Sequence, residues 1–481
     1  MLAVLNLNLK YKPDWTLVSL FLLVLISRIP FLFCGYGAEE DSWGTPLAIW
    51  QTLHSGIYEP SRLPGHPVPE FLYLLLPYAS PFWWNLLAAI ACAFASVAFY
   101  KIINKLDLQA AYLSALALAF VPVIFISSTY TIDYCFTLAF VLWSFYFLIE
   151  SSFLWAALFL GLAIGSRITS GIFLLPFLSW ILTINRDKTE IKSTVNLVML
   201  SLIIGTICYL PLLQSYGYRF FQYYDQFPYP SWEKVLFKAT FGVWGVIGLL
   251  GILSACISQT LFIGFSKLEI QTKKNKVMVG LAILITLLYT FSYLRLPQKS
   301  GYWIPAIPFI ILALNVGLLE MLYKFVLLCL MVSSFIFGLG LTDANRGSKH
   351  SNWAKVYKIR DQELFFDPAT GPLYSDFTKR HNKESFCKEV ATTLDQPEYA
   401  TSIIICGWWY NELMVYALNN NPKLVPHLRF YLTESELVSL SEKGVSLYFL
   451  PEQDKYNDLY TQISLTNHYA LAWENLTQHE R

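Results

Sequence analysis

Long apolar segments dominate the first 341 residues of this 481-residue chain. A helix needs about 20 mostly apolar residues to cross a bilayer. Segments of this kind lie at residues 15–34, 82–103, 110–128, 133–150, 194–213, 239–265, 277–295, 302–320 and 325–341. Another stretch, 153–184, is long for one span and short for two, so we divide it near Gly165-Ser166-Arg167. The pattern predicts a mainly α, polytopic membrane helix bundle of about 11 spans.

Charged residues divide the chain into two parts. Residues 342–481 contain 32 of the 67 Asp, Glu, Lys and Arg residues, in fewer than half as many positions as residues 1–341. Short apolar runs in this tail predict strands at 401–409, 428–433 and 445–451, with helices at 411–419 and 434–444. We therefore predict a transmembrane domain over 1–341 and a small soluble α/β domain over 342–481.

Basic residues indicate how the chain is oriented. Loops rich in Lys and Arg tend to face the cytoplasm. Lysines occur before the first span at Lys10 and Lys12, after the second at Lys101 and Lys105, and in the segment 267–276. All of these lysines lie on the same side of the membrane if the stretch 153–184 crosses the membrane twice. We therefore expect a multi-pass protein of the cell (inner) membrane, with a cytoplasmic N-terminus, an outward-facing loop 35–81 and an extracytoplasmic tail.

Three adjacent acids, Glu39, Glu40 and Asp41, follow the first span. Each would cost about 2.5–3.5 kcal/mol at the bilayer centre, so they belong at the interface or in a wet cavity. Adjacent carboxylates repel one another, which raises the proton affinity of one of them and suits a general base. The alternative is a solvated loop in which acids occur by chance.

The rest of the outer loop is unusually structured for a solvated segment. The run WGTPLAIWQTLHSGIY, residues 43–58, is amphipathic and suited to lying in the interface. The segment SRLPGHPVPE then supplies Arg62, His66 and Glu70 among prolines and a glycine. A rigid polar loop held against a membrane favours a built site over a simple connection.

This order of features resembles the GT-C superfamily of integral membrane glycosyltransferases. The acids after the first span, the interfacial helix and the Pro-Gly-His-Pro turn are most similar to protein O-mannosyltransferases and to bacterial aminoarabinose and undecaprenyl-phosphate-sugar transferases. Later landmarks are YTIDYCF (130–136), GLAIGSRITSGIFLLP (161–176) and LPQKSGYWIPAIPFIILAL (296–314). The resemblance covers roughly residues 15–341, with Glu-Glu-Asp where mannosyltransferases typically have Asp-Glu.

The resemblance implies an enzyme that uses a polyprenyl-phosphate sugar donor. It implies an inverting displacement, on the extracytoplasmic face, by a hydroxyl of a protein, lipid or glycan acceptor. One carboxylate would accept the hydroxyl proton. We expect Asp41 to be this catalytic base because it stands at the start of the interfacial helix. Glu40 is the competing candidate, since the first acid of the family's pair usually has this role.

A phosphate leaving group requires cations and no second carboxylic acid. The candidates for the donor phosphate site are Arg62, Arg167, Arg295 and Lys299, with the Tyr302 hydroxyl as an additional donor. The structural alternatives are a buried arginine that caps helix ends for Arg167, an ordinary outward loop for Arg295 and Lys299, and an interface anchor for Tyr302.

Further residues are expected at the acceptor side or along the cavity: Glu39, His66, Glu70 and Asp133. For His66 the alternative is a turn histidine bound by backbone, and for Asp133 it is a helix cap. No trio of His, Asp and Glu has the spacing of a tight metal site, so we expect no cofactor, with a divalent metal at Glu40 and Asp41 left open. No basic run with interleaved aromatics indicates nucleic acid.

Two other classes of protein remain open. A membrane transporter or lipid flippase typically has inverted repeats and broken helices around a midplane site. We find no clear repeat, and the acids cluster in an outer loop. A catalytically inactive scaffold that binds partners through its tail is the third possibility. Transfer of sugar from a labelled polyprenyl-phosphate donor separates the enzyme from both.

Overall fold

A computed structural model describes residues 14–77, 80–184, 188–217, 229–263, 273–343, 353–360, 362–430 and 432–450 of the chain. The protein is mainly helical, with small sheets. The helices of residues 1–341 are α1 Trp15–Arg28, α2 Glu40–Ser55, α3 Pro67–Leu74, α4 Pro81–Lys105, α5 Ala111–Phe120, α6 Pro122–Ser127, α7 Tyr134–Ile149, α8 Phe153–Ser166, α9 Leu174–Ile184, α10 Lys188–Tyr216, α11 Trp232–Ala239, α12 Phe241–Ser258, α13 Lys273–Arg295, α14 Ile307–Gly317 and α15 Glu320–Val332.

Several of these helices are long and apolar enough to span a membrane. By length and composition, the described residues contain five such helices: Pro81–Lys105, Thr194–Tyr216, Phe241–Leu261, Lys273–Arg295 and Ser300–Gly317. Shorter apolar helices are Trp15–Phe31, Ala111–Phe120, Tyr134–Ile149, Phe153–Ser166 and Ile168–Ile184. The helical bundle and its association with a membrane are thus supported, whereas the total of about 11 passes stays a prediction.

The predicted break in the stretch 153–184 is confirmed. Helix α8 ends at Ser166, Arg167 is extended (φ −158°, ψ 114°), and a 3-10 turn over Ile168–Phe173 leads into α9. Gly165 permits a close approach of α10, because a Cβ at this position would lie 2.7 Å from the Cys208 Sγ. The break ends α8 at Ser166, and Arg167 is the extended residue that follows.

The last predicted span, 325–341, is wrong at its C-terminal end. Helix α15 stops at Val332, and Gly338–Asp343 form strand β1. With β2 (Lys355–Ile359) and β3 (Gln362–Asp367), it forms an antiparallel sheet in the order β1-β3-β2. Glycine disfavours a helix, and a Cβ at Gly340 would lie 2.1 Å from the Phe365 ring, so this residue is suited to the strand. Strand β1 crosses the boundary predicted between residues 341 and 342.

The second sheet follows the predicted order of elements. Its strands are β4 (Ile403–Ile405), β5 (Leu428–Arg429) and β6 (Leu447–Phe449), parallel and in the order β5-β4-β6. The helices of the tail are α16 Pro372–Leu394, α17 Tyr410–Asn420 and α18 Glu434–Glu442. The first of these strands is shorter than predicted because residues 407–409 form a 3-10 turn. Residues 431 and 451, which belong to the other two predicted strands, lie outside the described ranges.

The tail packs directly on the helices of the first part. Helix α17 contacts α2, and α16 contacts α6. Residues 42–49 of α2 are all buried, so this half of the helix is covered by protein, a contact that the expected interfacial position did not include. Arg380 of α16 donates to the Thr129 carbonyl at 3.0 Å. Buried residues of the tail and of the apolar helices therefore share one hydrophobic core.

Two basic loops lie at the end of the helical bundle opposite the acids 39–41. At the C-terminal end of α4, Lys105 pairs with Glu150 at 2.9 Å, and Lys274 lies 3.5 Å from the Lys105 carbonyl. At its N-terminal end, Asn85 donates to the carbonyls of Leu32 and Gly35, just before the acids 39–41. Lys105 and Lys274, from two of the basic loops predicted to share one side, thus lie together at one end of the bundle, and the acids lie at the other. Lys10 and Lys12 lie outside the described residues.

Candidate active site

A cavity of 720 Å³ lies beside the first turn of α2. Six charged residues line it: Glu40, Asp41, Arg62, Arg167, Arg295 and Lys299. The rest of its wall includes apolar and aromatic side chains from four separate segments: Ile168, Ile172, Tyr289, Tyr293, Leu296, Tyr302 and Trp408. Charged side chains and apolar or aromatic side chains, several of them from candidate membrane helices, therefore line the same cavity.

Asp41 is held by two cations. Its Oδ2 lies 3.0 Å from the Arg62 Nη1 and accepts a hydrogen bond from the Lys299 Nζ. Burial alone would raise the pKa of Asp41, but the charges of Arg62 and Lys299 outweigh that effect and hold it well below its usual range. Asp41 is therefore ionised at neutral pH and engaged in ion pairs.

Glu40 has the opposite electrostatic environment. Burial, with the nearby negative charges of Glu412 and Asp41, raises its pKa to about 8, against the opposing charges of Lys383 and Lys299. No cation forms an ion pair with Glu40 among the described residues, although its neighbour Asp41 has two. The two adjacent acids in this cavity thus differ strongly in proton affinity.

Asp133 organises the cations from behind the cavity. Its side chain is 2% exposed, and its two oxygens lie 2.5 Å from the Arg62 Nη2 and 3.0 Å from the Arg167 Nη1. Although Asp133 stands at the start of α7, its side chain makes no capping hydrogen bond. Asp133 was predicted to lie along the cavity, but it is not among the lining residues. Its side chain instead fixes two arginines that do line the cavity.

Arg167 and Lys299 are positioned by close packing of aromatic residues. The Arg167 guanidinium lies 4.7 Å from the ring centroids of both Tyr134 and Tyr302. The segment that follows Lys299 approaches Tyr134 so closely that a Cβ at Gly301 would lie 2.6 Å from its ring. The ring of Tyr302 therefore contacts the Arg167 guanidinium. This contact is separate from the role of hydroxyl donor that was predicted for Tyr302.

His66 lines the cavity, and only one of its two ring nitrogens has a hydrogen-bond partner among the described residues. Its Nδ1 lies 2.9 Å from the Ser166 carbonyl, so this nitrogen carries the proton and donates it. Burial lowers the pKa of His66, which keeps the ring neutral. Its Nε2 is buried without a hydrogen-bond partner among the described residues, and His66 lines the cavity. The predicted alternative, binding to backbone, therefore accounts for only one of its two nitrogens.

Glu70 lies outside the cavity, contrary to the prediction. Its carboxylate accepts hydrogen bonds from the Ser61 amide at 2.9 Å, the His66 amide at 3.2 Å and the Tyr58 hydroxyl. These contacts fold the loop 58–66 around one buried acid. Glu70 thus shapes the segment that carries Arg62 and His66.

The remaining candidates fall on different surfaces. Arg295 lies exposed at the rim of the cavity and has no ion-pair partner among the described residues. Glu39 precedes α2 and pairs with Lys299 at 3.0 Å, but it lines a second cavity. Lys299 lies between the two acids Glu39 and Asp41 and lines both cavities.

Three residues of the tail at or near the cavity could not be predicted as site residues from the sequence. Trp408 lines the cavity. Lys383 forms a hydrogen-bonded ion pair with Glu412, and the side chains of this pair are buried. Lys383 is one of several charged residues on a helix, and no sequence motif distinguishes it from the others. Trp408 lies at the C-terminal end of the predicted strand 401–409 and Glu412 near the start of the predicted helix 411–419, and the carboxyl ends of strands are where α/β sites gather.

The site must be interpreted from its own geometry. No protein-family model matches the sequence, and no curated protein matches it. Among the described ranges, no group of three or more His, Cys, Asp or Glu is arranged to hold a metal ion. The chemistry suggested by the site is therefore that of carboxylates beside cations.

Proposed function

We propose that this chain is a membrane glycosyltransferase of the GT-C type. It transfers a sugar from a polyprenyl-phosphate donor to an acceptor hydroxyl by an inverting displacement. The observation that carries the proposal is the 720 Å³ cavity, in which cations, carboxylates and an apolar wall meet at one end of the bundle. This combination matches an amphiphilic donor with a charged phosphate, a sugar and a hydrocarbon chain.

The charge of the cavity supports an anionic ligand. Arg62, Arg167, Arg295 and Lys299 give four positive charges, and Glu40 and Asp41 give at most two negative ones, a net of at least +2 (four minus two). Arginine binds phosphate through two parallel hydrogen bonds. Arg295 is the cation best placed to do so, because Arg62, Arg167 and Lys299 are already engaged by Asp41 or Asp133.

The reaction is one displacement at the anomeric carbon. The acceptor oxygen forms a bond to this carbon while the bond from the carbon to the phosphate oxygen breaks. Polyprenyl phosphate leaves with the electron pair, and cations stabilise its charge. The proton of the acceptor hydroxyl passes to a carboxylate. No further co-reactant is required.

Glu40 fits the role of proton acceptor better than Asp41 does. A general base works best when its pKa lies near the operating pH, and the pKa of Glu40 is about 8. Asp41 is a weak base because two cations stabilise its ionised form. We therefore assign proton transfer to Glu40 and the alignment of Arg62 and Lys299 to Asp41, a change from the expectation based on helix position.

The proposal is tested with a labelled polyprenyl-phosphate sugar and the purified protein in lipid vesicles. Release of polyprenyl phosphate together with labelling of an acceptor supports it. Movement of intact donor across the vesicle without cleavage favours a lipid flippase or transporter. If membranes that contain acceptor show neither cleavage nor movement of the donor, both activities are contradicted and a scaffold is favoured.

Orientation gives a first prediction. We propose that the tail is extracytoplasmic, since the basic loops near Lys105 and Lys274 lie at the end of the bundle opposite the acids. A reporter active only in the cytoplasm is expected to be silent when fused after Arg481 and active when inserted at residue 108. Strong activity after Arg481 would reverse the orientation of the whole chain.

The donor site gives a second prediction. Arg295→Met is expected to weaken donor binding about 10- to 100-fold, because a hydrogen bond to a charged group contributes about 1.5–3 kcal/mol. The dissociation constant of a polyprenyl-phosphate analogue measures the effect. Lys388→Met, an exposed change on α16 that lines neither cavity, is the matched control. Equal affinities for the two variants would move the phosphate site away from Arg295.

A further inference from the structure

One aromatic side chain of the tail reaches the 720 Å³ cavity. Trp408 lines this cavity together with Glu40, and among the described residues it is the only one of the tail that does so. Trp408 is 50% exposed, whereas its neighbour Trp409 is buried, with its ring centroid 4.1 Å from that of Phe386. Trp409 therefore packs the interior of the tail, and Trp408 keeps a large part of its surface open beside the cavity.

The second sheet holds Trp408 in place. The amides of Cys406 and Gly407, at the end of β4, donate to the carbonyls of Arg429 and Phe430 at 2.8 and 3.0 Å. Gly407 has φ +53°, a left-handed conformation that favours glycine, and it begins the 3-10 turn that carries Trp408. The Phe430 ring packs edge-to-face on Trp408, with centroids 5.7 Å apart. The indole is thus positioned before a ligand binds, which lowers the entropic cost of binding.

Trp408 lies on the side of the cavity that carries the proposed proton acceptor. Helix α17 begins two residues after Trp408 and packs on α2, whose first residue is Glu40. The two helices approach closely, since a Cβ at Gly44 of α2 would lie 3.5 Å from the Asn411 Nδ2. The apolar wall that suits the donor's hydrocarbon chain comes instead from the turn after α8 and from the end of α13. Trp408 is therefore placed for the acceptor, whose hydroxyl must reach Glu40.

A ligand at this position needs one apolar face and a polar edge. The face of an indole ring is large, flat and partially negative, and the charged residues Glu40, Asp41 and Arg62 line the same cavity. A pyranose ring has this combination, because its C–H bonds carry small positive partial charges and its hydroxyls surround the ring. A peptide that offers a serine or threonine hydroxyl has no flat C–H face beside it.

We propose that Trp408 binds a sugar ring of the acceptor, so that the acceptor is a glycan or a glycolipid and not a protein. The assignment to the acceptor rests on the proposed transferase function; the binding of a sugar to Trp408 does not. One hydroxyl of the bound ring gives its proton to Glu40 as its oxygen bonds to the anomeric carbon of the donor. Polyprenyl phosphate leaves with the electron pair.

Saturation-transfer NMR of the full-length protein tests the site, in lipid nanodiscs free of glycoside detergent. The probes are the methyl glycosides of glucose, mannose, galactose and N-acetylglucosamine. Transfer to the ring C–H protons of at least one probe is expected to fall about fivefold or more in Trp408→Leu, which keeps an apolar side chain against Phe430 but removes the aromatic face. Trp408→Phe is expected to retain most of the transfer.

Trp353→Ala is the matched control, because Trp353 is a tail tryptophan that is 72% exposed and lines neither cavity. It should leave the transfer unchanged. Equal transfer to wild type and Trp408→Leu would overturn the proposal, as would the absence of transfer from wild type to all four probes.

A donor-cleavage assay separates this proposal from the transferase function. If the donor is cleaved but Trp408→Leu leaves glycoside binding unchanged, only the sugar site fails. If glycosides bind through Trp408 but no donor is cleaved, the transferase function fails and the sugar site stands. With both activities present, Trp408→Leu is expected to raise the KM for the acceptor about fivefold or more, while the KM for the donor stays within about twofold. A raised KM for the donor alone would overturn the assignment to the acceptor.

The labelled product identifies the source of the sugar ring. After mild acid has destroyed the unreacted donor, label that extracts into organic solvent indicates a glycolipid acceptor, and water-soluble label that resists protease indicates a glycan. Both results support the proposal. Label attached directly to serine or threonine side chains would overturn it.

Discussion

Glu40→Gln is expected to lower turnover about 10²- to 10⁴-fold, because it removes the proton acceptor while the donor site stays intact. The wild-type pH profile should reveal the same group. The base acts in its ionised form, so kcat/KM should rise about tenfold per pH unit below the pKa of about 8 and level off above it. Steady-state kinetics from pH 5.5 to about 9.5 measure this dependence.

Two variants control for this assignment. Asp41→Asn is expected to impair donor binding as well as turnover, since Arg62 and Lys299 lose their shared partner. Glu412→Gln removes a charge that raises the pKa of Glu40, so it should move the rise in kcat/KM to lower pH. A profile that is flat through pH 8, with Glu40→Gln active and Asp41→Asn inactive, would return the role of base to Asp41.

Lys383→Met is expected to lower the free energy of unfolding by about 3–5 kcal/mol, because it leaves the carboxylate of Glu412 buried without its partner. The two side chains are 0% and 1% exposed, so water cannot replace the lost ammonium. A loss of this size is a large fraction of the stability of about 5–15 kcal/mol that is common for a folded protein. Chemical unfolding of the detergent-solubilised protein measures it.

A matched change on the same helix controls for loss of a lysine. Lys388→Met lies on the exposed face of α16 and should change the free energy of unfolding by less than about 0.5 kcal/mol. Removing both charges in Lys383→Met/Glu412→Leu should recover much of the loss, since no buried charge then remains unpaired. Equal unfolding curves for Lys383→Met and Lys388→Met would show that the ion pair does not stabilise the tail.

The helices could be predicted from the sequence because their signal is local. The apolar runs gave most helix positions, and the polar residues Ser166 and Arg167 within an apolar run marked the break between α8 and the 3-10 turn. Strand β1 was missed because an apolar run of this length does not distinguish helix from strand. Its pairing partner β3 begins some 20 residues later, at Gln362.

The site was predictable only in part, for a related reason. A local motif identified the acids 39–41, and landmarks far along the chain supplied Arg167 and Lys299. The pairing between them could not be predicted, because Asp41 contacts Lys299 across 258 positions and Asp133 contacts Arg62 across 71. This pairing decides which acid is a usable base, so the sequence order of Glu40 and Asp41 alone could not rank them.

The contact between α17 and α2 has a consequence for the order of synthesis. The acids 39–41 leave the ribosome well before residues 410–420, which cover the helix that carries them. Until α17 has docked, Ser42–Ile49 lack part of their cover, and Glu412 is not yet beside Glu40. At that stage the site lacks the charge of Glu412, which raises the pKa of Glu40 in the folded protein. The proposed chemistry begins only when α17 covers α2.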